Sequence, residues 1–207
     1  MYDIESGVPG VRLATKSDEG ELFALLLMLH AENGLFSLNR DKVVLGIQHA
    51  TERRGGVIYC IEEDRRVVAT LGMSIACDWY SDDEYLLERW NFVHPDYRRS
   101  DYGQRLIEQS KWASDWFKAQ GKLMPFMCGI ISLHRTESKI RLYARRMACV
   151  GAFFLYGATP RQDDDVRREM RRIEEARKTR DGNGDRAVVP AVETLIRVSK
   201  REAEHVR

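Results

Sequence analysis

A short basic turn in the middle of the chain has the composition of a phosphate-binding site. It consists of Arg98, Arg99, Ser100, Asp101, Tyr102, Gly103 and Gln104. Apolar residues at helical spacing follow this turn, so it lies at the N-terminus of a predicted helix. The first N–H groups of a helix have no intrahelical acceptor, the helix dipole is positive there, and arginines favour phosphate oxygens. The turn is therefore suited to a pyrophosphate. The alternative is a plain strand-to-helix connection with solvated arginines.

A carboxylate in the strand before this turn could act as a general base. Residues 85–93 are rich in aromatic and branched side chains, as strands are, and Pro95 ends the strand. Strand alternation places Glu88, Trp90 and Phe92 on one face. Desolvation among aromatic rings raises the pKa of a carboxylate, which suits a base near neutral pH. Two alternatives stay open: a bulge would change the face that Glu88 uses, and an arginine could hold Glu88 in an ordinary salt bridge.

The elements that must position these residues follow one another as strand, two helices, three strands, helix, strand, helix and strand. Strands are predicted at 11–14, 57–61, 67–75, 85–93, 126–131 and 151–156, and the last helix before the final strand at 135–147. This order predicts an α/β domain over residues 11–158. From Pro160 the composition becomes strongly charged, so residues 160–207 are expected to form a helical C-terminal extension. That extension is either a solvated helix on the domain or an arm for a partner or a homodimer.

The strand, turn and helix together resemble the coenzyme A-binding motif of GNAT-type N-acetyltransferases. In that family a V-x-P strand end precedes R/Q-x-x-G-x-G/A at the start of a helix. Here Arg98 opens the motif, Gly103 provides its second glycine, and Asp101 stands where the family has its first glycine. The Asp101 side chain could crowd and repel the phosphates. It could instead turn outward as a cap, with Arg98 and Arg99 offsetting its charge; Ser100 is the other candidate cap.

The resemblance implies a GNAT-like fold with a mixed α+β sheet, acetyl-CoA as cosubstrate, and direct transfer of the acetyl group to an amine in a ternary complex. It places the pyrophosphate on the N–H groups of residues 99–104. It also assigns main-chain contacts with the pantetheine arm to Phe92 and Val93, because the family splays two strands there. Tyr143 resembles the family tyrosine that protonates the leaving thiolate; the alternative is a tyrosine packed on the sheet. The resemblance adds His30 and Glu32 as weaker candidates for the base, because their loop borders the acceptor cleft in the family.

The composition limits the other classes of function. The chain has 207 residues, 43% of them hydrophobic, and a net charge of +1, which gives no general reason to invoke nucleic acid or an acidic membrane. Four cysteines without C-x-x-C spacing are expected to be buried free thiols, and the histidines show no paired spacing for a metal. The N-terminus is polar and no apolar run could span a bilayer, so a cytoplasmic location is expected.

Two alternatives to catalysis remain. The chain could be a degenerate GNAT-fold protein that binds CoA or a protein partner, which the charged C-terminal extension would favour. It could also bind nucleic acid through Arg98, Arg99, Arg145 and Arg146, although it lacks the basic excess typical of such proteins. The acceptor is left open between a small amine, a protein N-terminus, a lysine and a nucleobase.

Overall fold

A mixed β-sheet forms the centre of the computed structural model, which describes residues 4–130 and 136–151. Within these residues the sheet has five strands in the order β1-β2-β3-β4-β5. Their bounds are Arg12–Leu13, Gly56–Glu63, Arg66–Cys77, Glu84–Val93 and Phe126–Met127. Neighbours from β1 to β4 are antiparallel, whereas β4 and β5 are parallel. The predicted mixed α/β class is confirmed.

Helices cover both faces of this sheet. They are α1 (Glu19–Asn33), α2 (Arg40–Thr51), α3 (Tyr102–Ala119) and α4 (Thr136–Ala144). The apolar residues of α1 and α2 form one core cluster with one face of the strands, and those of α3 form a second cluster with the other face. In α3, the residues spaced for burial are buried, including Leu106, Ala113 and Phe117. The sheet is thus a rigid platform whose two faces are already occupied.

A β-bulge in β4 changes the face that its side chains use. Glu88 pairs with Met73 and Trp90 pairs with Gly72, so Arg89 is an extra residue without a partner on β3. A bulge of this kind adds one residue to a strand and shifts the alternation after it. The predicted arrangement of Glu88 and Trp90 on one face is therefore wrong.

The bulge separates Glu88 from the aromatic residues that follow it. Trp90 and Phe92 pack in the cluster under α1 and α2. Glu88 and Asn91 instead both hydrogen-bond Tyr143 of α4. The hydrogen-bond partner of Glu88 therefore lies on α4, and Trp90 and Phe92 use the other face of β4.

The parallel pairing of β4 with β5 is short. It joins Leu86 to Phe126 and Leu87 to Met127, and no later pair is formed among the described residues. Residues 128–130 are not in a strand, so β5 is shorter than the predicted strand at 126–131. In the described part of the chain, the outer edge of β4 beyond Leu87 is thereby left open, as a splayed strand pair requires.

Several expectations concern other parts of the chain. The predicted strand at 151–156 falls, apart from Gly151, outside the described residues, as does the extension at 160–207.

Of the four free cysteines only Cys60 is buried, whereas Cys77 and Cys149 are exposed, so their predicted burial is wrong. In the described part of the chain no helix is long and apolar enough to cross a membrane. The same residues hold no group of three or more side chains arranged to bind a metal ion.

Candidate active site

The open edge of β4 lies in a large cleft with a volume of about 1360 Å³. The cleft extends from the α1–α2 loop, past β4 and α4, to the N-terminus of α3. The sequence-predicted residues that line it are Glu88, Phe92, Val93, Arg98, Ser100, Asp101, Gly103, Gln104 and Tyr143. The weaker candidates His30 and Glu32 also line it, whereas Arg99 and Tyr102 do not. One cavity thus joins the predicted acid–base pair to the predicted phosphate site.

The two proposed proton carriers contact each other directly. The Tyr143 hydroxyl donates a hydrogen bond of 2.6 Å to Oε2 of Glu88. Tyr143 is buried, with 7% of its surface exposed, and it reaches β4 from α4. The partner of Glu88 is this phenol rather than an arginine, so the salt-bridge alternative does not describe its environment among the described residues.

The protonation states of this pair follow from burial. Burial raises the pKa of Glu88 to about 7, although the Tyr143 hydrogen bond and the charge of Lys139 lower it in part. Burial, followed by the neighbouring Glu88 charge, raises the pKa of Tyr143 well above its usual value of 10. Near neutral pH the site therefore holds a partly ionised carboxylate beside a neutral phenol. Such a pair can accept one proton and donate another.

Asn91 is a third member of the site that sequence reasoning missed. Its Nδ2 donates a hydrogen bond of 3.0 Å to the Tyr143 hydroxyl oxygen. The Asn91 amide already donates to this oxygen, so the hydroxyl hydrogen of Tyr143 points to Glu88 instead. In a regular strand, residues 88 and 91 would lie on opposite faces. The signal that could have revealed Asn91 is the bulge, since one extra residue brings the two side chains to the same face.

The start of α3 is capped by Ser100 rather than by Asp101. Ser100 Oγ accepts a hydrogen bond of 3.3 Å from the Tyr102 N–H and donates one of 2.6 Å to the Tyr97 carbonyl. Asp101 occupies the N-cap position but makes no side-chain cap bond. Its side chain is 66% exposed, and its carboxylate lies 4.0 Å from Arg105. Asp101 therefore turns outward, as one alternative predicted, but Arg105 rather than Arg98 or Arg99 faces its charge.

Gly103 leaves room for a ligand at the first turn of α3. A Cβ built on Gly103 would meet no atom closer than 3.7 Å, those atoms being Leu142 Cδ2 and Val93 Cγ2. Glycine is thus not required by the packing of the protein itself. Gly103 and Gln104 lie in the first turn, where N–H groups lack intrahelical acceptors. A small residue beside open N–H groups in a cleft fits the pyrophosphate of coenzyme A.

Arg98 links the end of α1 to the end of β4. Its Nη2 donates to Glu32 Oε1 at 2.5 Å, and its Nε donates to the Val93 carbonyl at 3.2 Å. Its guanidinium lies 5.4 Å from the centre of the Phe92 ring. Because Arg98 pairs with Glu32, that carboxylate is less suited to serve as the base. His30 is also engaged, through Nε2 at 2.8 Å from the Phe36 carbonyl.

The open edge of β4 offers the main-chain groups of Val93. The His94 N–H donates to the Val68 carbonyl of β3 at 2.8 Å. Main-chain groups alternate between the two edges of a strand, so those of Phe92 also point to β3 and those of Val93 point outward. The contact of the Val93 carbonyl with Arg98 agrees with this direction. Of the two residues expected to contact the pantetheine arm, Val93 is the one whose main chain faces the cleft.

Arg99 and Tyr102 lie beside the cleft rather than in it. Arg99 is exposed. The Tyr102 hydroxyl donates to Glu63 at the end of β2, which raises the pKa of Tyr102 to about 12. Neither side chain lines the cleft next to Gly103.

Comparison with known proteins gives a family match over the central part of the chain. Residues 54–146 match the family model of the acetyltransferase (GNAT) domain. This segment includes β4, the basic turn and α4. A search of curated proteins finds no significant match.

Solved structures with the same fold extend the match to most of the chain. A possible acetyltransferase from Clostridium difficile 630 has a TM-score of 0.56 at 16% identity, covering 73% of this chain and 98% of its own. AAC(6')-Iy, solved with the bisubstrate analogue CoA-S-monomethyl-acetylneamine, has a TM-score of 0.54 at 14% identity, covering 71% and 95%. The ribosomal-protein-alanine N-acetyltransferase from Brucella melitensis biovar Abortus 2308 has a TM-score of 0.51 at 15% identity, covering 71% and 98%. At these identities the likeness concerns the fold alone.

Proposed function

We propose that this chain, whose residues 54–146 match the GNAT acetyltransferase domain, transfers an acetyl group from acetyl-CoA to an amine. The transfer proceeds by direct attack in a ternary complex. The observation that carries the proposal is the Tyr143–Glu88 hydrogen bond of 2.6 Å at the open edge of β4. It combines a base and an acid in the cleft that also reaches the first turn of α3.

The residues at the far end of the cleft would hold the cosubstrate. The N–H groups of Gly103 and Gln104 would bind the pyrophosphate, and the side chain missing at Gly103 would allow its close approach. The outward main-chain N–H of Val93 would bind the pantetheine arm. Asp101 lines the same cleft but faces Arg105 and solvent, which supports a bound pyrophosphate beside it although the family motif has glycine at this position.

Acetyl-CoA supplies an acetyl group as a thioester; a C–N bond to the acceptor forms as the C–S bond breaks. The Glu88 carboxylate accepts the proton that the amine loses, which its raised pKa favours. The Tyr143 hydroxyl gives its proton to the departing sulfur. Tyr143 then recovers a proton from Glu88 through their hydrogen bond. One proton has thereby moved from the amine to the thiol, and both side chains return to their starting states.

Asn91 would act as a positioning residue in this cycle. Its amide donates to the Tyr143 oxygen, so it directs the hydroxyl hydrogen in the resting site. While Tyr143 lacks its proton, the same hydrogen bond stabilises the phenolate. Asn91 itself exchanges no proton with the substrates.

The test combines binding and turnover. Calorimetry with acetyl-CoA measures binding, and detection of free thiol with a panel of amines measures transfer. We expect binding by the wild-type protein and by Glu88→Gln, but amine-dependent thiol release by the wild type alone. If acetyl-CoA binds and no amine promotes thiol release, the proposal fails and the chain is a binding protein on the GNAT fold.

A further inference from the structure

Among the described residues, the end of the cleft away from α3 has an excess of positive charge. The cationic side chains that line it are Lys42, Arg89, Lys139 and Arg54, and the charge of Arg54 is offset by Glu52. Glu88 is the one carboxylate at this end among the described lining residues. The other two lining carboxylates lie towards α3: Glu32 pairs with Arg98, and Asp101 faces Arg105.

The positions of two of these cations follow from the elements that carry Glu88 and Tyr143. Arg89 is the extra residue of the bulge, directly after Glu88 in β4, and it is exposed. Lys139 lies four residues before Tyr143 in α4, so the two share one helix face. The charge of Lys139 acts on Glu88, whose pKa it lowers. Positive charge is thus adjacent to the acid–base pair on both β4 and α4.

The other two cations lie on α2 or directly after it. Lys42 is exposed in the first turn of α2. Arg54 follows α2 and forms a surface salt bridge with Glu52. It precedes Gly56, which is in register with Ser74 on β3, and Ser74 is in register with Leu87 on β4. Two strand spacings amount to about 10 Å, so the chain at Gly56 lies about that far from β4 beside Glu88.

Exposed apolar side chains line the same end of the cleft. Phe36, in the loop between α1 and α2, is 70% exposed, and Leu45, on α2, is 51% exposed. Gly46 follows Leu45, and a Cβ added there would have no atom within 4 Å. This wall therefore has both open space and an apolar surface, as a site for a small organic ligand does.

From this arrangement, and resting on the proposed function, we infer that the acceptor is a small amine that also carries an anionic group, a carboxylate or a phosphate, and an apolar body. Clefts lined by one sign of charge attract ligands of the opposite sign. An acceptor with several amines and no anion would be repelled by Arg89, Lys42 and Lys139. In an anionic amine, the nitrogen would approach Glu88 while the anion is bound by these cations.

The test uses matched acceptors that differ in one group. Phenylalanine against phenethylamine tests the carboxylate, and phosphoethanolamine against ethanolamine tests the phosphate; neamine serves as the polycation. We expect a kcat/KM at least tenfold higher for the anionic member of one pair. Calorimetry of the same compounds with the CoA-saturated protein should give the same order. A preference for the amines without an anionic group (phenethylamine and ethanolamine) or for neamine would overturn the inference. The absence of binding by both phenylalanine and phosphoethanolamine would also overturn it.

Variants then locate the anion. Arg89→Gln and Lys42→Gln should each raise the KM of the preferred anionic acceptor roughly two- to fivefold, as exposed charge pairs do, with kcat nearly unchanged. The KM of the matched amine without an anion should not rise. Arg141→Gln is the control, because Arg141 is 65% exposed and lies outside the cleft. Equal effects of all three changes would contradict the assignment.

The two proposals fail in different ways. If anionic amines bind to the CoA-saturated protein but no amine promotes thiol release, the acceptor class stands and the transferase function does not. If neamine or an amine without an anionic group is acetylated best, the transferase function stands and the acceptor class is wrong.

Discussion

Tyr143 on α4 and Glu88 on β4, 55 residues apart in the chain, share a hydrogen bond of 2.6 Å, so the proposed acid and base form one unit. Neither group titrates independently of the other. Loss of the carboxylate charge changes the acceptor of the Tyr143 hydrogen, and loss of the phenol removes a donor that favours the carboxylate.

The rate of transfer should fall as the pH falls below about 7. Burial raises the pKa of Glu88 to about 7, and the base must be ionised to accept the amine proton. We expect kcat/KM to decrease about tenfold per pH unit below that value. Burial raises the pKa of Tyr143 well above its usual value, so its proton stays in place and this group causes no loss of rate at neutral or mildly alkaline pH. The pH profile of thiol release measures this acidic limb and the absence of a loss above it. A profile that is flat between pH 5 and 7 would contradict the role of Glu88.

Glu88 should also make stability depend on pH. Its pKa is raised in the folded protein, so the folded state holds this proton more tightly than the unfolded chain does. Stability from this group is present in full below about pH 4.5 and is lost as the pH rises through about 7. Glu88→Gln removes the titration, so the melting temperature of the variant relative to wild type should be higher at pH 8 than at pH 5. Glu137→Gln is the control, because the Glu137 side chain is 88% exposed; an identical pH dependence in both variants would exclude the burial effect.

Gly103→Glu tests the pyrophosphate site, with Gly103→Ala as its control. A Cβ at this position meets no protein atom closer than 3.7 Å, and the related motif accepts alanine there, so Gly103→Ala should keep the fold and the affinity for acetyl-CoA. Alanine favours a helix over glycine by about 0.5–1 kcal/mol, and the melting temperature of this control should rise slightly. We expect Gly103→Glu to lower the affinity for acetyl-CoA at least tenfold in calorimetry, because its longer anionic side chain occupies the space beside the first-turn N–H groups and repels the phosphates. Unchanged affinity in Gly103→Glu, with the fold intact, would remove the pyrophosphate from this turn.

Asp101→Gly tests whether the departure from the family motif matters. Asp101 has φ of −87°, a conformation open to any residue, and its side chain makes no cap bond. We therefore expect acetyl-CoA affinity to change less than threefold and stability to fall by only a few tenths of a kcal/mol. A large gain in affinity would mean that the carboxylate repels the phosphates, and a large loss would mean that it supports them.

The fold was predictable because its helices and strands have regular periodicity. The buried spacing of Leu106 and Phe117 in α3 and the strand composition of β2 to β4 each indicate one element, and the structure has them in that order. The phosphate turn was predictable for a similar reason, since its signal is local in sequence. The cap at Ser100 rather than Asp101 depends on side-chain geometry, which the sequence leaves open between two suitable residues.

The geometry at Glu88 was not predictable from periodicity. One extra residue at Arg89 reverses the alternation between Glu88 and Trp90, and no residue type forces such a bulge. Gly72 opposite is compatible with it, because Trp90 covers the space where a side chain would be: a Cβ there would lie 2.3 Å from the Trp90 ring. The same bulge brings the Asn91 side chain to the face of β4 that Glu88 uses.

Tyr143→Phe is the most direct test of the coupled pair. The change removes the hydroxyl and keeps the ring, so acetyl-CoA affinity and melting temperature should change little. We expect kcat to fall roughly 10²-fold or more, the usual effect of losing a positioned proton donor. A rise confined to KM would indicate a binding role instead.

The same variant has a second readout that packing alone would not change. The Tyr143 hydroxyl donates to Glu88 and lowers its pKa, so its removal should move the acidic limb of the remaining kcat/KM to higher pH. Asn91→Ala should lower kcat without moving the acidic limb. It leaves the acid and the base in place, so the limb of kcat/KM stays near pH 7, but it makes the Tyr143 phenolate less stable. Because Asn91 holds Tyr143 without exchanging protons, its effect on kcat should be the smaller one. Full activity of the phenylalanine variant, with an unmoved limb, would show that water rather than Tyr143 protonates the thiolate.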